Sequence, residues 1–171
     1  TEEATDIFLE SACFHPTWVR KTARRHGLST DSSFRFERGV DPNNTVYALQ
    51  LAATLIKQLA GGEICGDIVD IYPNPVERAS VQLSLDYAYN LIGKHIGDDV
   101  VKEILGSLEI EIVGESDGVL DLRVPTYLVD VTRPCDVVED VLRIYGYNNV
   151  EFGNTVQSSL SYQQPTDVSN H

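Results

Sequence analysis

The spacing of apolar residues along the chain predicts a mixture of helices and short strands. Apolar side chains that recur every three or four residues predict helices, which we place at 16–26, 42–60, 84–92, 98–108 and 136–145. Short or alternating apolar runs predict strands, which we place at 7–9, 64–72, 80–83, 110–113 and 119–124. Residues 29–39 are polar and predict a loop with a short extended stretch.

The segment Pro73-Asn74-Pro75 is the clearest boundary, because two prolines around an asparagine favour an extended linker. We predict a first unit at 1–72, a linker at 73–75, a second unit at 76–150 and a Gln/Ser-rich tail at 151–171. After an initial strand, the second unit runs helix, helix, strand, hairpin turn, strand, helix. That order is typical of a small α+β domain of winged-helix type.

The composition is that of a soluble globular protein, with 42% hydrophobic and 23% charged residues. No run of about 18 apolar residues occurs, so we expect no membrane partner. Three cysteines lie far apart, at Cys13, Cys65 and Cys135, which favours reduced thiols in the cytoplasm. The chain contains no methionine and starts at Thr1, so we interpret it as an internal piece of a longer protein.

The net charge of −13 argues against a free-standing nucleic-acid-binding protein, because phosphate contacts require Lys and Arg. The charge is unevenly distributed, however. Residues 16–38 contain six Lys or Arg residues and two acidic residues. This stretch is either a solvated helix face with ion pairs or a local basic patch.

Four carboxylates near the end of the chain are candidate metal ligands. Asp136, Glu139 and Asp140 share one helix face, and Asp130 precedes the helix. Converging carboxylates suit a hard cation such as Mg²⁺. The alternative interpretation is helix capping, with Asp136 as N-cap and Glu139 as the third helical residue.

Three stretches carry a resemblance to a known family: 9–14, 22–42 and 124–149. They include the sequences RFERGVDP at 35–42 and RIYGYNN at 143–149. In this order and at these distances the stretches closely resemble the beta subunit of bacterial phenylalanyl-tRNA synthetases. The resemblance extends from about Phe8 to Phe152.

The resemblance implies that residues 1–72 are the C-terminal part of an α/β editing domain that hydrolyses mischarged tyrosyl-tRNA. It implies a winged-helix-like domain at 76–150, with the tail leading to a catalytic-like domain. The holoenzyme would be an α2β2 tetramer that uses ATP to charge tRNA-Phe. The isolated piece, which has no catalytic residue of its own, is expected to be inactive.

The resemblance also implies sites. Positions matching Glu10, Thr30 and Ser32 line the family's editing pocket, although some relatives have alanine in place of Ser32. A carboxylate such as Glu10 can accept a hydrogen bond from the tyrosine hydroxyl, whereas phenylalanine leaves it unpaired. From the sequence alone, Glu10 also suits a surface ion pair. Positions matching Asp130, Asp136, Glu139 and Asp140 hold a magnesium ion shared with the alpha subunit, the last position being more often glutamate.

Two other classes of function are compatible with the pattern. A free-standing winged-helix nucleic-acid-binding protein would need a basic recognition helix, but the last two helices of the second unit are rich in acidic residues. The other alternative is an assembly or protein-interaction module without a ligand of its own.

Overall fold

A computed structural model describes residues 4–151 of the chain. These residues form the helices α1 Pro16–His26, α2 Asp31–Phe36, α3 Thr45–Ala60, α4 Leu85–Ile92, α5 Asp98–Ser107 and α6 Pro134–Tyr145. The strands are β1 Ala79–Ser84, β2 Glu111–Ser116 and β3 Val119–Val124. Helices and one antiparallel sheet confirm the predicted α+β class. Within the described part of the chain, no helix is both long and apolar enough to cross a membrane.

The sheet has the strand order β1-β3-β2, with β3 antiparallel to both neighbours. A tight turn at Asp117-Gly118 joins β2 to β3, and both residues have positive φ angles, of 49° and 74°. Two left-handed residues match the twist of a hairpin, which explains the Asp-Gly pair. The predicted hairpin is therefore confirmed. The winged-helix description of this unit stays a prediction.

The hydrophobic core lies entirely in this second unit. Helices α4 and α6 pack against each other, and α6 also packs on α5 and β1. The buried apolar side chains come from five of the six elements of the unit, all except β2, and from the loops between them: Val81, Leu83, Leu85, Ala88, Ile92, Ile96, Val101, Ile104, Leu105, Ile110, Leu120, Leu122, Val124, Val131, Val137, Val138 and Val141. The apolar stripes predicted for α5 and α6 therefore face this core.

The first unit differs from the expectation at three places. The strands predicted at 7–9 and 64–72 are wrong, because both segments are irregular, with Phe8 94% and Val69 81% exposed. A short apolar run becomes a strand only beside another strand, and neither segment pairs with one among residues 4–151. The loop predicted at 29–39 contains α2. Thr30 caps it: its Oγ1 accepts from the Ser33 N–H at 3.1 Å, and Ser33 Oγ accepts from the Thr30 N–H at 2.9 Å.

A hydrogen-bonded link connects the start of α3 with the loop that follows β3. The Thr126 hydroxyl donates to Asp41 Oδ1 at 2.7 Å, and the Asn43 side-chain amide donates to Thr126 Oγ1 at 2.9 Å. Asp41 also accepts from the Asn43 N–H, which caps a short 3-10 turn at Pro42–Asn44. One carboxylate therefore organises the entry to α3 and holds the loop that leads to Asp130. The predicted boundary at 73–75 stays a prediction, and the tail beyond Glu151 lies outside the described residues.

Candidate functional site

The four predicted metal ligands form an acidic cluster, defined here as Asp130, Asp136, Glu139 and Asp140, at the start of α6. Contrary to the capping interpretation, Asp136 is the third helical residue and not the N-cap. Arg133 is the N-cap, and Pro134 opens the helix. Asp136 Oδ2 accepts from the Arg133 N–H at 2.9 Å and the Thr132 N–H at 3.2 Å. Asp136 therefore does cap the helix, but from the third helical position. Glu139, which the capping interpretation placed at that third position, lies beyond the first turn.

Arg133 also binds Asp136 through its side chain, with Nη2 2.7 Å from Oδ1. The Arg133 guanidinium, together with the two backbone N–H donors, holds the pKa of the Asp136 carboxyl well below its usual range. Asp136 is therefore ionised at all ordinary pH values, with both oxygens occupied by donors from its own chain.

The pKa of Asp140 is shifted in the opposite direction to that of Asp136. It is 9% exposed, and it is the one buried charged residue among those that the structure describes. Burial raises the pKa of its carboxyl; Arg143, 2.9 Å away, opposes this effect, while the charges of Asp130, Glu139 and Asp136 add to it. All three other members of the acidic cluster thus act electrostatically on Asp140.

Arg143 bridges the far side of the cluster, since it also donates to Glu139 at 2.9 Å. Two arginines therefore face three of the four carboxylates. Within residues 4–151, no three His, Cys, Asp or Glu side chains lie close enough together to hold a metal ion. The donors are of the type that Mg²⁺ prefers, but this chain alone does not arrange three of them around one point. The magnesium site therefore stays a prediction.

The three residues predicted for the editing pocket are all exposed and belong to different local structures. Glu10 lies in the irregular segment before α1, Thr30 caps α2 and Ser32 lies within α2. Thr30 lines an apolar groove of about 530 Å³ between α1 and α2, whose walls include Phe14 and Trp18. Glu10 and Ser32 are not among the residues that line this groove. The assignment of the pocket stays a prediction.

A second groove, of about 290 Å³, adjoins the first and is lined by Arg24 and Phe34 among others. Here the structure adds contacts that our sequence analysis did not identify. Lys21 lies over the Trp18 ring, 5.1 Å from its centre, and the Arg38 guanidinium lies 3.4 Å from the centre of the Phe34 ring. Lys21 follows Trp18 by three residues within α1, which is a helical spacing that would have indicated this pair, whereas Arg38 lies in the turn after α2.

Comparisons with known proteins match one domain family to each end of the described chain. Residues 1–61 match the B3/4 domain family, and residues 81–147 match the tRNA synthetase B5 domain family. The phenylalanine–tRNA ligase beta subunit of Bacteroides fragilis (strain YCH46) is 56% identical over 170 residues, which is 99% of this chain and 21% of that protein. The beta subunit of Porphyromonas gingivalis is 53% identical over 98% of this chain, and that of Geobacter sulfurreducens is 41% identical over 88% of it.

A B3/4 domain followed by a B5 domain is the arrangement of an aminoacyl-tRNA synthetase subunit. The chain belongs to the family of phenylalanine–tRNA ligase beta subunits, as the resemblance in the sequence implied. It spans about 21% of the length of the Bacteroides beta subunits that it matches.

Proposed function

We propose that the chain is the B3/4–B5 part of a beta subunit that works with an alpha subunit, in an α2β2 tetramer, to charge tRNA-Phe with phenylalanine. ATP is the second substrate, and the cytoplasm is the place of action. The observation that carries the proposal is the identity of 56% across 99% of the chain, with both domain families in the same order. The acidic α5 and α6 do not favour a free-standing nucleic-acid-binding protein.

We also propose that the acidic cluster contributes ligands to a Mg²⁺ ion and that the alpha subunit completes the site. Asp140 supports this proposal, because a buried carboxylate that is repelled by the charges of other acidic residues costs stability and calls for a function. A bound Mg²⁺ would supply positive charge to carboxylates that here have only Arg133 and Arg143 beside them. To bind the ion, Asp140 and Glu139 would exchange their contacts with Arg143 for metal ligation.

Glu10, Thr30 and Ser32 are proposed to line the pocket that recognises the tyrosine hydroxyl of mischarged tRNA. Within residues 4–151, Glu10 makes no hydrogen bond or ion pair through its side chain, so the ion-pair alternative gains no support. Thr30 uses its oxygen as an acceptor, which leaves its hydroxyl hydrogen free to donate. A carboxylate acceptor and a hydroxyl donor together can recognise a phenol group.

The test is Glu10→Ala in the full-length beta subunit assembled with its alpha subunit. Clearance of tyrosyl-tRNA should slow by roughly 5- to 150-fold, because a hydrogen bond to a charged group is worth about 1–3 kcal/mol. Thr30→Val should produce a milder defect. Phenylalanine charging should stay nearly unchanged, since editing and synthesis lie in different domains.

Glu63→Ala is the matched control, because Glu63 is also an exposed carboxylate in an irregular segment of the first unit. It should leave clearance unchanged. If Glu10→Ala lowers charging, clearance and melting temperature together, Glu10 has a structural role and the pocket assignment is wrong. Absence of charging by the wild-type assembly would overturn the proposed function itself.

A further inference from the structure

The stretch RFERGVDP at 35–42 includes a run of residues that belongs to neither α2 nor α3 and has no part in the proposed editing pocket. The run is Gly39, Val40, Asp41 and Pro42. All four residues are partly buried, and no longer unbroken run of partly buried residues occurs among residues 4–72. Contacts outside the pocket therefore cover this run.

The run contacts the loop that joins β3 to α6. Thr126 of this loop donates its hydroxyl hydrogen to Asp41 and accepts a hydrogen bond from the Asn43 side chain. Gly39 lies against Val129: a β-carbon added to Gly39 would be 3.0 Å from Val129 Cγ2, closer than the roughly 3.5–4.0 Å at which carbon atoms pack. We define the domain joint by these five residues: Gly39, Asp41, Asn43, Thr126 and Val129.

The loop side of the domain joint is fixed to the hydrophobic core of the second unit. Pro125 and Val131 are buried, and Leu128 packs against the core. The Leu128 N–H donates to the Pro125 carbonyl at 3.1 Å, and the Val131 N–H donates to the Leu128 carbonyl at 3.2 Å. The Tyr127 hydroxyl lies 3.0 Å from Glu109 Oε2, which connects the loop to the end of α5. The two joint residues of this loop therefore lie on a firm support.

The other side of the domain joint is held within the first unit. The Cys13 thiol lies 3.8 Å from the Val40 carbonyl oxygen, and Arg20 of α1 donates to the Glu37 carbonyl at 3.3 Å. Asp41 caps the 3-10 turn that leads into α3. The segment before α1, α1 itself and α3 are therefore all connected to the residues that contact the loop.

The covalent connection between the two units does not fix their relative orientation. Residues 61–78 are irregular, and all of them except Tyr72 are exposed. An exposed, irregular connection leaves two domains free to move unless contacts between them prevent it. The orientation therefore depends on contacts such as those of the domain joint.

We propose that the domain joint locks the B3/4 domain to the B5 domain, so that the two domains move as one body. A carboxylate and an amide from one domain meet a single hydroxyl of the other, and a residue without a side chain meets a branched apolar one. Glycine at position 39 serves both the positive φ angle and the close approach of Val129. The proposal concerns only how the two domains are held, so it does not rest on charging or editing.

The first test is Thr126→Val in the full-length beta subunit, measured by hydrogen exchange with mass spectrometry. Valine keeps the shape of the side chain and removes both hydrogen bonds across the domain joint. Amides at 43–45, in the other domain, should exchange roughly fivefold faster, because the lost hydrogen bonds hold the turn before α3. Thr132→Val is the matched control: Thr132 lies in the same loop, and its hydroxyl makes no hydrogen bond across the joint among residues 4–151. It should leave exchange at 43–45 unchanged.

The second test compares two glycines of nearly equal backbone conformation, Gly39 with a φ angle of 95° and Gly62 with 93°. Gly39→Ala forces a methyl group against Val129, whereas Gly62→Ala places one in open space, so the two variants share the backbone strain and differ in the contact. Gly39→Ala should speed exchange at 126–131 by roughly fivefold or more, and Gly62→Ala should not. Val129→Ala, added to Gly39→Ala, should reverse most of the change, because it removes the Cγ2 atom at 3.0 Å.

Faster exchange that is confined to the domain carrying the substitution would overturn the proposal, because a joint between domains must transmit the change to the other one. Equal effects of Thr126→Val and Thr132→Val, or of Gly39→Ala and Gly62→Ala, would overturn it as well. So would exchange at 43–45 that is already as fast in the wild type as in an unfolded chain. Charging and clearance by the wild type test the proposed function separately, and neither result changes the interpretation of the exchange rates.

Discussion

Both parts of the chain contain helices with apolar residues at helical spacing, but only the helices of the second part bury such residues. Every buried apolar side chain among residues 4–151 lies between Val81 and Val141, and none lies in α1, α2 or α3. Helix α3 nevertheless carries a stripe at intervals of four residues, of which Leu51, Leu55 and Leu59 are 45%, 44% and 86% exposed. Periodicity therefore indicates which face of a helix is apolar, but not whether the chain at hand supplies the surface that covers it.

The largest expected difference between the two parts is in independent folding. Residues 76–150 should give a cooperative thermal transition when expressed alone, because they enclose one complete core. Residues 1–72 alone should lose helical signal gradually, since their helices bury nothing. Far-ultraviolet circular dichroism of both pieces measures this. A cooperative transition of residues 1–72, or a gradual one of residues 76–150, would contradict the predicted difference in independent folding.

The same leucine-to-alanine substitution in one helix of each part should show how differently the two helices are packed. Leu105→Ala, in α5, removes a side chain that is 0% exposed and should lower the free energy of unfolding by about 2–5 kcal/mol. Leu51→Ala, in α3, removes the same atoms from a half-exposed position and should cost about 1 kcal/mol or less. Urea unfolding of the chain compares the two. Equal losses would show that α3 is packed as firmly as α5.

The smallest expected effects concern pH and have opposite signs at Asp136 and Asp140. The lowered pKa of Asp136 means that its charge stabilises the folded state above the ordinary value of 3.8, and this contribution is lost as pH falls further. Asp136→Asn should therefore lower the melting temperature at neutral pH. The deficit should shrink as the pH decreases below 3.8.

The raised pKa of Asp140 has the reverse consequence. The folded state binds the proton more tightly, so stability falls as pH rises from 3.8 through the raised pKa. Asp140→Asn should raise the melting temperature at neutral pH and have little effect below 3.8. Melting curves of both variants between acid and neutral pH check the signs. Shifts in the same direction would show that the burial of Asp140 does not determine its energetics.

Local signals in the sequence were sufficient where a helix end depends on one residue. The helix ends predicted at 26 and 92 are confirmed, because Gly27 and Gly93 follow α1 and α4 with φ angles of 63° and 79°. The start of α6 was placed two residues late, although Pro134 marks the first helical position. The strands expected at 7–9 and 64–72 fail for a different reason, because strand pairing is a long-range property that a short apolar run does not contain.

The residues of the acidic cluster could be predicted from the sequence, but their burial and their ion pairs could not. Helical spacing placed Asp136, Glu139 and Asp140 on one side of α6. It did not indicate that Asp140 is buried, or that Arg133 and Arg143 bind the cluster from both ends. Those features depend on how α6 packs against α4, α5 and β1, which is a property of the folded core.

The link from Asp41 to Thr126 has a consequence for communication within the subunit. Asp41 caps the turn before α3, while Thr126 lies four residues before Asp130 and the acidic cluster. A ligand that displaces the start of α3 would therefore act on the loop that presents Asp130, through two hydrogen bonds rather than through a flexible connection. Such an influence is necessarily mutual: if occupancy of the B3/4 region alters cation affinity at the cluster, a cation at the cluster alters that occupancy by the same factor.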